Sequence, residues 1–140
     1  MTTMDDYLGK SYVMISEDNF EAYLEYLGMG YIKRKIAVKV RPTQTLRRNA
    51  SGTYTFSVHG ALFHWEIMFT PGVEFDATSP DDIQLKGLIT FEGNVMTHKQ
   101  TDNEGRVSTH KLEFGPEVTI VTTTVEGWDI VATRIYKLVK

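Results

Sequence analysis

The chain contains no cysteine. That removes disulfides, thiolate metal sites and cysteine nucleophiles together, and it fits a reducing compartment. A basic excess is also missing: the formal net charge is -3, which argues against a general nucleic-acid binder. No run approaches the ~20 apolar residues needed to span a bilayer. The opening "MTTMDDYLGK" is acidic and has no apolar core, so no signal peptide is expected. Without secretion the glycosylation pattern "NAS" at 49–51 carries little weight. GxSxG, HExxH, P-loop and dinucleotide fingerprints are all absent. Carboxylate pairs such as Asp81/Asp82 fall at turns, where capping explains them. His59, His64 and His98 lack metal-ligand spacing and read as structural or surface residues. Neither a catalytic, a cofactor nor a metal site is expected, and no repeat, linker or low-complexity tract divides residues 1–140.

What is present is a two-residue rhythm. In "TYTFSV", Tyr54, Phe56 and Val58 share one face, with Thr53, Thr55 and Ser57 on the other; in "FHWEIMF", Phe63, Trp65, Ile67 and Phe69 oppose His64, Glu66 and Met68. Further strands are expected over 10–15, 43–48, 73–76, 83–91, 95–101, 106–114, 118–125 and 129–139. They are separated by turn chemistry such as "TPG", "EGN" and "DNEG". About ten strands joined by short turns suit an up-and-down antiparallel barrel or sandwich. With 41% hydrophobic residues in 140, one domain with one core or one filled cavity is expected.

One segment breaks the rhythm. "SEDNFEAYLEYLGMGYIKRKIAVKV" opens on Ser/Asp/Asn capping candidates and then spaces Phe20, Tyr23, Leu24 and Leu27 as on a helix. Gly28 and Gly30 punctuate the end of one short helix and the start of a second, which stops before Pro42. The helical part is expected over about 18–39, with Glu17, Asp18, Glu21 and Glu25 on the first helix and Lys33, Arg34, Lys35 and Lys39 on the second.

The last strand, "DIVATRIYKLV", poses a problem of sides. Val131, Thr133 and Ile135 point one way; Ala132, Arg134, Tyr136 and Leu138 point the other. If the second set faces in, a guanidinium sits in the interior and needs an anionic partner that neighbouring residues do not supply.

The order of elements resembles the fatty-acid-binding protein family, which also contains the cellular retinoid-binding proteins. The stretches carrying the resemblance are "GKSYVMISEDNFEAYLEYLGMG" (9–30), "FTPGVEFDATSPDD" (69–82) and "TRIY" (133–136). The resemblance implies an all-β fold: a ten-stranded antiparallel clamshell barrel with a two-helix lid over a ligand cavity. In the family the Arg-x-Tyr of the last strand points inward and holds the ligand's head group, a role that falls here on Arg134 and Tyr136. Phe20, Tyr23 and Met29 match lid positions lining the cavity; Ala37 faces the same way from the second helix, and Leu62 matches a portal residue. Asp81 matches an acidic portal position, with Ile83 in place of its usual arginine neighbour. Fatty-acid binders commonly carry a second inward arginine two strands earlier; here that slot falls on Leu112, or on His110 in a shifted register.

The expected function is therefore a monomeric, non-catalytic cytoplasmic carrier of a long-chain fatty acid, with nuclear entry open. Arg134, Tyr136 and His110 would serve the head group. Two alternatives stand beside it: a retinoid or other neutral-lipid carrier, and a barrel scaffold acting through its basic helix. Lys33, Arg34 and Lys35 are a candidate surface for transient membrane contact, though a solvated helix face is the commoner role of such a run.

Overall fold

The computed structural model describes residues 3–61, 64–79 and 82–140. Leu62 and Asp81, the expected portal residues, lie outside these.

A single 3-10 turn, Met4–Tyr7, precedes the first strand and buries Met4 and Tyr7 against the barrel. Then follow β1 (Ser11–Asp18), α1 (Phe20–Tyr26), α2 (Tyr31–Lys39), β2 (Thr43–Arg48), β3 (Tyr54–His59), β4 (His64–Phe69) and β5 (Phe75–Thr78). The second half is all strand: β6 (Gln84–Glu92), β7 (Val95–Asp102), β8 (Val107–Phe114), β9 (Val118–Val125) and β10 (Trp128–Leu138). The ten strands form one sheet in the order β4-β3-β2-β1-β10-β9-β8-β7-β6-β5. Every pairing is antiparallel, and the sheet curls into a nearly closed barrel. Its two edges, β4 and β5, meet at a seam crossed by a side chain: Trp65 Nε1 donates to the Thr78 carbonyl at 2.6 Å.

The alternating residues do what their period requires. On β8, Ser108, His110, Leu112 and Phe114 are buried, while Lys111 and Glu113 face out. The β6–β7 hairpin turns through Gly93-Asn94, with Gly93 at φ +60°; only glycine takes that first position of the tight turn without strain. Tyr12, Met14, Leu46, Phe69, Phe114 and neighbouring side chains fill one end of the barrel. A second cluster at the other end packs Tyr23 and Leu24 of α1 on Val125 and Ala132, so the helices seat there as a lid.

Two sequence expectations are corrected. β1 runs on to Asp18, so Glu17 and Asp18 belong to a strand and not to the first helix. Asn19 does not cap α1 with its side chain: it adopts a left-handed φ of 62° and its Nδ2 donates to the Val131 carbonyl at 3.1 Å. The free first-turn amide of Phe20 instead donates to Glu17 Oε2 at 3.0 Å, a cap delivered from the preceding strand.

Candidate functional site

Between lid and barrel wall lies a cavity of ≈ 600 Å³, large enough for a long flexible chain. Its geometry follows from the register of the strands. Arg134 pairs with Val121, Val121 with Leu112 and Leu112 with Met96, giving one cross-strand row of inward side chains. One step towards the lid, the next row reads Ala132, Thr123, His110, His98 and Ile89. The row beyond it brings Val125, Ser108 and Gln100 under α1.

The side question of β10 is thereby answered. Ala132 and Tyr136 are buried and Arg134 lines the cavity, while Val131 faces solvent. Arg134 Nη1 donates to Tyr136 Oη at 3.3 Å, and its guanidinium carbon stands 4.5 Å from the centre of the Phe20 ring. Its Nε is buried and has no hydrogen-bond partner among the described residues. This is a cation placed in an apolar chamber with donor capacity unspent, the arrangement that a buried carboxylate would satisfy.

Of the other expected site residues, Phe20, Tyr23, Met29, Ala37 and His110 all border the cavity. Tyr23 is held by a hydrogen bond from its Oη to Ser108 Oγ at 3.1 Å, and burial raises its phenol above the ordinary value. His110 is 9% exposed, and its Nδ1 shares a 2.7 Å hydrogen bond with Thr123 Oγ1. Burial, then the nearby Arg134 charge, then His98 hold its pKa well below the usual 6.5. Leu112, 3% exposed, occupies Arg134's row, and His110 stands one row nearer the lid. Arg106 precedes β8 at the lid end, where its Nε donates to Asp102 Oδ2 at 2.8 Å and its Nη1 to the Tyr26 carbonyl at 3.2 Å. It cannot substitute for the missing cation on the Arg134 row.

Two readings change, and one residue is added. His98 is not a surface residue. It is 6% exposed, borders the cavity, and burial lowers its pKa to about 4. Its inward direction was available from the alternation Met96-His98-Gln100 on β7. Gln44, on the inward face of β2, was missed; it is 4% exposed and its Oε1 has no partner among the described residues. Arg34 is not part of an outward basic face. It turns to α1, donating to the Met29 carbonyl at 2.8 Å and approaching Glu21 and Glu25 at 3.6 and 3.5 Å. Lys35 pairs with Glu21 at 2.9 Å, and Lys33 borders the cavity mouth. Two cations of the "KRK" run, Arg34 and Lys35, thus tie the two lid helices together.

No protein-family model matches the chain. Individual proteins do. It is 34% identical over 131 residues to fatty acid-binding protein 2 of Manduca sexta, covering 94% of this chain and 98% of that protein. It is 31% identical over 133 residues to the muscle fatty acid-binding protein of Schistocerca gregaria, covering 94% and 96%. The crystal structure of Echinococcus granulosus fatty-acid-binding protein 1 superposes with a TM-score of 0.89 at 26% identity, over 98% of this chain and 100% of that one. Barrel, helical lid and near end-to-end identity agree: the chain belongs to the fatty-acid-binding protein family.

Proposed function

We propose that this protein is a non-catalytic carrier that holds one long-chain fatty acid in the barrel cavity. The observation carrying the reading is Arg134, a guanidinium with an unpartnered Nε beside the Tyr136 phenol inside an otherwise largely apolar chamber. Such a pair supplies charge-assisted donors to a carboxylate, each worth about 1.5–3 kcal/mol. The acyl chain supplies more. At ~0.8 kcal/mol per buried methylene, a chain of about sixteen carbons gains roughly 10 kcal/mol before ordering costs are subtracted. Arg134 and Tyr136 take the head group; Phe20, Tyr23, Met29 and Ala37 cover the chain; His110 lies close enough to the head group to assist.

We place the protein in the cytoplasm as a monomer. Among the described residues no helix is long and apolar enough to cross a membrane. Transient contact with membranes falls to α2, whose Tyr31, Ile32 and Ile36 are exposed beside Lys33 and Lys35. Exposed apolar side chains next to lysines favour an anionic bilayer surface.

Displacement of a fluorescent amphiphile from delipidated protein tests the reading. Oleate should displace it stoichiometrically at sub-micromolar concentration. Probe binding that retinol or a neutral lipid displaces, and oleate does not, would replace the fatty acid with the alternative ligand class.

A further inference from the structure

A fatty acid needs one polar end, but the wall of this cavity carries buried polar side chains away from Arg134 and Tyr136 as well. Beyond Arg134 and Tyr136, the wall of β7 and β8 carries His98 and His110 directly opposite each other, with ring centroids 5.7 Å apart. Both are more than nine-tenths buried, and both border the cavity. His98 contacts the Phe75 and His110 rings and makes no hydrogen bond to another described residue. His110 uses Nδ1 on Thr123, which leaves its Nε2 for another partner. Polar rings in an apolar enclosure are costly unless something meets them. Among the described residues no third histidine or carboxylate joins the pair to complete a metal-ligand set.

The charge state narrows the partner. Burial disfavours the imidazolium form at both rings, and Arg134 adds to this at His110. A neutral imidazole offers one N–H donor and one nitrogen acceptor. A second carboxylate would find no cation here, and an alkyl chain would leave both functions unmet. A hydroxyl both donates and accepts. Two N···O hydrogen bonds through one oxygen span up to about 6 Å between the nitrogens, which suits the separation of these rings. The pair also lies one row nearer the lid than Arg134, so a chain anchored at Arg134 and running towards the lid passes it a few carbons from its carboxylate.

We propose that His98 and His110 form a second polar subsite that selects fatty acids bearing a hydroxyl group part-way along the chain. The inference rests on the carrier reading, with Arg134 taking the carboxylate. Specificity would come mainly from rejection, because a plain chain leaves the two imidazoles unpaired once solvent is displaced.

The test compares octadecanoic acid with a series of monohydroxy octadecanoic acids that differ only in hydroxyl position, each displacing anilinonaphthalene sulfonate. Affinity should peak at one position, about tenfold tighter than the parent acid. In the variant His98→Leu the peak should vanish while octadecanoic acid binds at least as well as to the wild type. A flat series, or a peak that survives in His98→Leu, overturns the subsite and leaves the carrier reading intact. If neither the parent nor any hydroxy acid displaces the probe, the carrier reading fails and takes the subsite with it. Should the variant not fold, nitrogen-15 spectra of the wild-type imidazoles decide. The His98 ring nitrogens should shift with the preferred hydroxy acid and not with octadecanoic acid; equal shifts with both refute the proposal.

Discussion

Arg134 and Leu112 face the cavity from the same cross-strand row, separated only by Val121. A cation and an aliphatic side chain therefore stand where two cations would form a clamp. Leu112→Arg should create that clamp. In the unliganded protein, a second buried guanidinium without a counter-ion should cost about 3 kcal/mol of stability. With oleate bound, that loss should be largely recovered and the affinity raised. Thermal melts with and without oleate check both halves; a variant that is equally stable and binds no better would show that residue 112 does not see the head group.

Arg134→Ala removes the only cation on that row. Affinity for oleate should fall by about tenfold or more, the equivalent of one charge-assisted hydrogen bond, while affinity for methyl oleate should hardly change. Parallel titrations of the two ligands measure the difference. Equal losses would mean that Arg134 supports the wall and not the carboxylate.

Stability should depend on pH through the buried histidines. Unfolded, His98 takes up its proton near pH 6.5; folded, it does so only near 4. The unfolded chain binds more protons in that window, so the contribution is complete above pH 6.5 and is lost as the pH falls towards 4. His98 alone accounts for a loss on the order of 3 kcal/mol. His110 shifts in the same direction. Denaturant titrations across the window should give a shallower slope for His98→Gln than for the wild type.

The two lid helices are held to each other by ion pairs. Glu21 on α1 meets both Arg34 and Lys35 of α2, at 3.6 and 2.9 Å. The Lys35 hydrogen bond keeps its carboxyl below the usual carboxylate range. Glu21→Gln should speed fatty-acid release several-fold and make the release rate less sensitive to salt, as stopped-flow transfer to vesicles would record. An unchanged rate at low salt would place the barrier elsewhere.

A side chain also closes the seam. Trp65→Phe deletes the hydrogen bond to Thr78 that spans β4 and β5. A loss of about 1 kcal/mol in stability is expected, with ligand release faster in the same stopped-flow experiment.

The strands were legible because both faces of each carry information. Thr43–Arg48 and Val118–Val125 fall where alternation puts them, and the other strands within one residue at each end, with two exceptions. β5 comes two residues late, since Val73 and Glu74 belong to the preceding turn; β1 overran its expected end by three residues, because "SED" reads equally as a helix cap. Arg134 and Tyr136 could be placed inside only by resemblance, as alternation fixes which residues share a face and not which face is wet. Which of Leu112 and His110 shares the row of Arg134 required the β8–β9 register, a long-range property that no local pattern encodes. The cavity-facing position of His98 and Gln44 is hidden in the sequence because a polar residue in a strand reads as solvent-facing unless the cavity is known to be there. The lid's ion pairs join side chains from two helices, which composition alone presents as a run of charge.

The pairing of β1 with β10 has one more consequence. Met14 lies against Tyr136, and the amide of Val139 donates to the Ser11 carbonyl at 2.9 Å. Sequence neighbours are paired at every step except β4 to β5. Read in space, then, the ribbon begins at one side of the seam and ends at the other, and the covalent chain merely starts halfway round. A permuted gene that linked the end of β10 to the start of β1 and opened between β4 and β5 would encode the strands in their spatial order. Every ladder would survive, and the new chain ends would lie at the one junction where the backbone makes none.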